Sequence, residues 1–300
     1  MPAILEFQSK PAMLPVYFKA LTKRGGKLKP GESFPPMEGR WRSAAADPAK
    51  LNAYRAACGF AADGNLPFVY PYVLVAGVQI AMLADPRFPV SPMGFVHARN
   101  HILQRRPIAE GASFDITTAI GATRPVKQGV EFDMDGRVSV GGETVWECVS
   151  TYLMRSKKLA NPEAAAPLRS VFEELSAPDR EDGWDVPGNM GRRYARITGD
   201  FNPIHLGAPL AKLFGGFPKA IVHGMWSLAR CAASLPAPDF ARPVQLDAVF
   251  KGPVFMGSRV AMKSATADGR SRFDLFCGDN PRPVLTGALR QAGPEESLFA

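Results

Sequence analysis

The chain has 300 residues, 46% of them apolar and 21% charged, with 36 basic and 28 acidic residues for a net charge of +8. That is ordinary globular composition with material for two domains of about 130–150 residues, and it excludes a disordered or fibrous chain. No apolar run approaches the ~20 residues of a membrane span, and no run of five like charges or P-loop, zinc-finger or RRM pattern occurs, so the diffuse positive charge suits a small polyanion better than nucleic acid.

Residues 1–45, rich in Pro, Gly and Lys, read as an arm draped over a domain. From Asp47 a helical pattern begins, with Leu51, Tyr54, Ala57 and Cys58 on one face and a natural stop at Gly59. A second helix is predicted from Val69 to Leu83, apolar on nearly every side and therefore buried. Extended segments follow at Gly94–Gln104, Ser113–Ala119, Val126–Phe132 and Arg137–Leu153, the last broken at Gly141-Gly142. The charged, Pro/Ala-rich stretch 156–188 reads as a linker. Then a helix over Met190–Ile197 ends at Gly199, and a buried helix covers Ala220–Leu235. Extended segments close the chain at Val244–Lys251, Ser258–Ala265, Ser271–Cys277 and Val284–Gln291.

This order is a duplication visible in individual residues. Tyr54-x4-Gly59 lies on Tyr194-x4-Gly199, and Val69-Tyr-Pro-Tyr72 lies near Val222-His-Gly-Met225. Asn100 to Pro107 and Gly111 lie on Asp247 to Pro253 and Gly257. A helix wrapped by an antiparallel sheet, occurring twice, predicts an α+β architecture in which two sheets join edge to edge. The halves differ in one place. Gly59 and Tyr70 stand eleven residues apart, Gly199 and His223 twenty-four, and the extra segment holds Asn202, Pro203 and His205. Where the second half has Asp200 the first has Phe60, which predicts one active site per chain.

Asp200, Asn202 and His205 gather a carboxylate, a carboxamide and an imidazole on a loop that Pro203 keeps from being helical. Such a loop suits holding a water between a general base and a general acid. Apolar neighbours such as Phe201, Ile204 and Phe214 would shift the two acid–base groups, and His223-Gly224 would open a helix whose free N–H groups face the site. His97 and His101 read as structural residues on one strand. Phe60 with the small Ala76 and Gly77 suggests room for a cavity in the first half. Four scattered cysteines without a CxxC pair read as reduced thiols. With four histidines and no HExxH, neither metal nor cofactor is expected. The first twenty residues lack a signal-peptide core and the final Glu295–Ala300 is no peroxisomal address, so a cytoplasmic protein is expected.

Tyr194-x3-Thr-Gly-Asp-x-Asn-Pro-Ile-His205-x5-Ala211, with Gly216-Phe217-x3-Ile221-x-His-Gly-Met225, resembles the signature of MaoC-like (R)-specific enoyl-thioester hydratases. Leu51-x2-Tyr54-x3-Cys-Gly-Phe60, Leu66-Pro-x2-Tyr-Pro-Tyr72, Gly94-x2-His97-x2-Asn100 and Trp146-Glu-x3-Thr-Tyr-Leu153 resemble the bacterial 3-hydroxyacyl-thioester dehydratase branch. The resemblance spans about residues 45–292. It implies a double hot-dog: an N-terminal arm over 1–45, a degenerate hot-dog over 46–155, a linker over 156–188 and a catalytic hot-dog over 189–295. It further implies reversible syn hydration of trans-2-enoyl thioesters on coenzyme A or acyl-carrier protein. In that reading Asp200 and His205 act on water, Asn202 orients it, and the Gly224 N–H polarises the thioester carbonyl beside His223. Thioester hydrolysis and non-catalytic acyl-thioester binding are the competing readings. A homodimer is compatible with either half leaving a face exposed.

Overall fold

Strand-forming runs bounded by glycine turns assemble, in this computed structural model, into one eleven-stranded sheet. The structure describes residues 2–23, 26, 28–164 and 174–299; positions 165–173 of the expected linker lie outside the described residues. The sheet runs β1(Ala3–Phe7), β2(Met37–Ala44), β4(Phe114–Val126), β5(Gly129–Val140), β6(Glu143–Arg155), β3(Val96–Gln104), β8(Val244–Phe250), β11(Leu285–Gln291), β10(Arg270–Cys277), β9(Arg259–Ala267), β7(Arg180–Asp185). Among the described residues only β1 and β2 pair in parallel. The halves meet where β3 pairs antiparallel with β8, Arg99–Gln104 against Val244–Val249. This is the edge-to-edge union of two helix-on-sheet units that the duplication implies.

The helices obey their sequence signals. In α2(Pro48–Cys58), the Asp47 carboxylate accepts from the N–H groups of Ala49 and Lys50 at 2.9 and 3.1 Å, with Pro48 in the first turn. α2 and α4(Met190–Thr198) terminate alike. Gly59 and Gly199 take φ of 86° and 87°, and each donates its N–H 2.7 Å to the carbonyl four residues back. The two long core helices, α3(Pro71–Ala84) and α6(Gly224–Ser234), pack on the sheet. Trp226 on α6 donates its indole N–H 2.9 Å to the Ala57 carbonyl, tying the second half to α2 of the first.

Four features depart from the expectation. Residues 1–45 carry β1, β2 and a helix, α1(Met13–Thr22), so this segment extends the sheet as well as covering it. β7 falls within the stretch read as linker and pairs with β9. β4 runs unbroken to Val126, because an irregularity between Ile120 and Thr123 absorbs the register change that the sequence reads as a gap. A short helix, α5(Ala208–Gly215), follows the expected catalytic loop. Cys58, Cys148, Cys231 and Cys277 are buried and unpaired. Among the described residues no helix is long and apolar enough to cross a membrane.

The first half carries one buried ion pair. Arg99 on β3 reaches across β6 to Glu131 on β5, Nη1 to Oε1 at 3.2 Å, both side chains being almost inaccessible. Removing one partner strands the other charge without water, which typically costs ~3–5 kcal/mol. Glu131→Ala is therefore expected to lose that much in denaturant unfolding, and pairing it with Arg99→Met to recover a large part. A single-variant loss under about 1 kcal/mol contradicts this account.

Candidate active site

The expected loop leaves α4 at Gly199 and turns back through a single 3-10 turn, Pro203–His205. Its local bonds follow from the residue types. The Asn202 N–H donates 3.1 Å to Asp200 Oδ1, the Asn202 side-chain oxygen accepts from the Ile204 N–H at 3.4 Å, and the His205 N–H reaches the Asn202 carbonyl at 3.0 Å. The carboxamide oxygen of Asn202 is thus engaged inside the loop, and its NH2 is the part left to meet a ligand. Gly191 makes the close packing possible, since a Cβ there would stand 2.0 Å from the His205 carbonyl oxygen.

The loop lies against the start of α6. His205 Nδ1 donates 2.9 Å to the Ile221 carbonyl, which leaves Nε2 with its lone pair toward the site. His223, the residue before α6, gives its Nε2 proton to the Asp200 carbonyl at 2.9 Å and lies 3.7 Å from Asp200 Oδ2. The two imidazoles stack with centroids 3.7 Å apart. One donor or acceptor atom from each of Asp200, His205 and His223 falls within a span of 4.8 Å, which a single water can bridge with two hydrogen bonds of about 2.8 Å. The same three groups could ligate a cation.

The start of α6 has no side-chain cap, and neither Gly224 nor Met225 has a backbone partner for its N–H among the described residues. A Cβ at Gly224 would come within 2.9 Å of the Phe250 ring, so glycine allows this helix end to sit against β8. The duplicate helix α3 begins with Pro71, which has no N–H. The first half therefore lacks both the polar loop and the N–H that corresponds to that of Gly224.

The first half instead supplies a wall. His97 stacks on Tyr152 at 4.9 Å and on Tyr72 at 5.9 Å, and meets Phe250 at 4.9 Å. The sequence treats His97 as structural, yet Asp200 is near enough to act on its charge. His101 lies elsewhere, bonded through Nδ1 to Asp247 at 2.6 Å across the β3–β8 seam. Of the residues expected around the loop, Ile204 packs under Gly215 while Phe214 is 39% exposed and contributes no burial to the site. Phe201 is partly buried. The room expected near Gly77 is taken, because Met13 and Lys10 of the N-terminal segment lie over it. Phe60 packs on Tyr54 and Phe68.

The electrostatics separate the two acid–base groups. Burial would push the Asp200 carboxyl up, but His223, His205, the Tyr17 hydroxyl and the Asn202 N–H together bring it below its ordinary range. Burial, helped by His223, pushes His205 down to about 3. At neutral pH the site therefore holds an ionised carboxylate beside a neutral imidazole. Sequence reasoning missed Tyr17, whose hydroxyl donates to Asp200 Oδ1 from α1. Nothing in the spacing of the N-terminal segment links it to a loop so distant in the chain.

A family model described as "MaoC like domain" matches residues 176–286. The 3-hydroxyacyl-thioester dehydratase X of Mycobacterium tuberculosis is 31% identical over 244 residues, covering 81% of this chain and 85% of that protein. The crystal structure of HtdX from the same organism superposes with a TM-score of 0.71 at 28% identity, covering 85% of this chain and 100% of that one. A MaoC-like dehydratase from Phytophthora capsici, 18% identical, gives 0.66 over 87% of this chain and 96% of its own, a likeness of fold.

The depressed His205 carries a consequence for stability. Unfolded, this imidazole takes up a proton as the pH falls through about 6.5, whereas folded it stays neutral to about 3. Its contribution is thus full above pH 6.5 and declines on acidification, by about 2 kcal/mol at pH 5. Asp200 gives no compensation there, because its lowered pKa means its own contribution is lost only at still lower pH. Thermal unfolding is expected several degrees lower at pH 5 than at pH 7.5, with His205→Asn showing a smaller drop. A melting temperature that rises on acidification contradicts a buried neutral His205.

Proposed function

This chain is a hydro-lyase that belongs to the MaoC-like dehydratase family, and from that premise we propose that it adds water reversibly across the double bond of trans-2-enoyl thioesters to give (R)-3-hydroxyacyl thioesters. The observation that carries the reading is the convergence of an ionised Asp200 and a neutral His205, with polar atoms of these two and His223 within 4.8 Å of one another, beside the uncapped start of α6.

Hydration makes three demands. The attacking water must lose a proton as its oxygen bonds to C3, C2 must gain one, and the thioester oxygen must be supported while it carries enolate charge. Asp200 and His205 jointly serve the first two. The water sits between their free atoms, and its proton and the one delivered to C2 pass through the pair on one face of the double bond, which makes the addition syn. The Gly224 N–H, at the positive end of α6, serves the third. Asn202 orients the water through its free NH2, and His223 holds the Asp200 backbone so that the loop keeps its distance from α6. Phe201 and Ile204 flank the polar atoms on the loop side. In this reading residues 189–295 form the catalytic half, while the first half, over 46–155, closes the far side with Tyr72, His97 and Tyr152. A coenzyme A or carrier-protein thioester is the substrate class, matched to the net positive charge.

Enoyl absorbance at fixed thioester concentration tests this directly. Wild type is expected to consume trans-2-enoyl-CoA without releasing thiol, whereas thiol release with no hydration would replace the reading by hydrolysis. Asp200→Asn and His205→Ala are each expected to lower kcat by at least ~10²-fold, since each removes a proton-transfer partner. Gly224→Ala should fall by a similar ~10²–10³, because the new methyl group displaces the helix end from Phe250 and with it the donor. Full activity in any of the three refutes that residue's role.

A further inference from the structure

We propose that Tyr17, on the N-terminal helix α1, is a positioning residue for this hydration: its hydroxyl holds Oδ1 of Asp200 and reserves Oδ2 for the reacting water. The inference rests on the hydration reading and adds to it a residue that neither hot-dog half supplies.

The geometry divides the carboxylate into two unlike oxygens. Oδ1 accepts from the Tyr17 hydroxyl and from the Asn202 N–H. Oδ2 has no hydrogen-bond donor among the described residues and lies 3.7 Å from His223 Nε2, on the side where the imidazoles stack. A carboxylate fixed by two donors at one oxygen cannot rotate freely about its Cβ–Cγ bond, so the lone pairs of the other point one way. The groups acting on Asp200 come from every element packed around it: Tyr17 from α1, His97 from β3, Tyr152 from β6, Tyr194 from α4, His205 from the 3-10 turn and His223 from the start of α6. Of these, only the Tyr17 side chain donates a hydrogen bond to the carboxylate.

The helix is built to keep that hydroxyl in place. Met13, Tyr17 and Ala20 form its buried face. Met13 lies over Gly77 of α3 and Gly199 of the loop, where a Cβ at Gly199 would meet its Cγ at 2.7 Å. Just ahead of α1, Lys10 gives its ammonium to the Thr198 carbonyl at 3.0 Å, at the end of α4 where a cation is favoured. The opposite face, with Leu14 and Phe18 two-thirds exposed, makes no such contacts. α1 is thus fastened on both sides of the loop residue that it touches.

Tyr17→Phe removes the one oxygen and keeps the ring, and Phe18→Ala, on the exposed face, serves as the control. Steady-state hydration of a trans-2-enoyl-CoA across pH 4–9 is expected to show kcat about tenfold lower in Tyr17→Phe with KM within about twofold. The acid limb of kcat/KM should move to higher pH, because a carboxylate that loses a donor is easier to protonate. Phe18→Ala should match wild type in both. Carbon-13 NMR titration of labelled aspartate, without substrate, should place the Asp200 transition at higher pH in Tyr17→Phe. An unchanged or raised kcat with an unmoved acid limb and an unmoved Asp200 titration overturns the inference. A lowered KM with raised kcat would also overturn it, showing that α1 obstructs the site. A wild type that leaves enoyl-CoA unchanged sinks the hydration reading itself, and the NMR titration then still decides whether Tyr17 governs the carboxylate.

Discussion

The pairing of β3 with β8 is the constraint on which the site depends. Six residues of each strand lie in register, Arg99 opposite Val249 through Gln104 opposite Val244. That ladder makes one sheet of two, and it fixes what each half can place near the other. Phe250 at the end of β8 comes against His97 of β3, and the ring that limits space at Gly224 thereby also touches the first-half wall. A one-residue slip would turn every side chain on these strands to the opposite face. His101 and Asp247, bonded at 2.6 Å directly across the seam, add a polar pair that fits only this register.

A duplicated fold would be expected to make two sites, and the single site proposed here rests on a divergence of the two copies at both of the places that the site draws on. The loop is longer in the second half, and the core helix of the first half begins with proline. Either change alone would leave half a site: a loop with no helix-end donor, or a donor with no acid–base pair. Their segregation leaves the first half free to keep apolar and aromatic residues at the corresponding positions. Tyr54, Phe60 and Tyr70 pack together there, at 6.2 and 5.0 Å between rings, in the space where the second half holds its polar loop. The residue opposite Asp200 in the alignment of the halves is thus a partly buried aromatic residue packed against the core.

The sequence made the polar loop readable because its polar residues lie close together and break a helix at a defined place. Asp200, Asn202 and His205 meet in the structure as their spacing implies, and the turn chemistry of Asn202-Pro203 is part of the same arrangement rather than an alternative to it. The helix-end glycines, the Asp47 cap and the core strands were readable for the same reason: each is a local preference that agrees with its tertiary setting. The arm was harder. Met13, Tyr17 and Ala20 recur at helical spacing, but Leu14, Phe18 and Leu21 make a second apolar stripe beside them, and Pro15 interrupts both. With apolar residues on two faces the pattern does not say which one is buried. His97 shows a different limit. Its strand is legible, but an irregularity between His97 and Arg99 breaks simple alternation, so a period of two does not give the face on which His97 lies.

The contrast between Asp200 and His205 follows from how each spends its hydrogen bonds. Both are drawn out of bulk water, and burial works against charge on each. Asp200 recovers from this through His223 and His205 beside it and through donors aimed at its carboxylate, from Tyr17 and Asn202, and its side chain keeps about a third of its exposure. His205 is only 7% exposed, and its one polar contact goes to a carbonyl that a neutral ring can serve as well as a charged one. Stacking on His223 adds a second reason to stay neutral, because two imidazolium rings 3.7 Å apart would repel strongly. The site therefore needs no unusual residue to keep a base and a neutral partner together at pH 7. It needs a donor at one oxygen of the carboxylate and a carbonyl at one nitrogen of the imidazole, and the chain draws these from Tyr17 on α1 and from Ile221, far apart in the sequence. Long-range closure of this kind is what the sheet provides: by holding both halves and the arm in one layer, it lets distant segments each contribute one bond to a single cluster of polar groups.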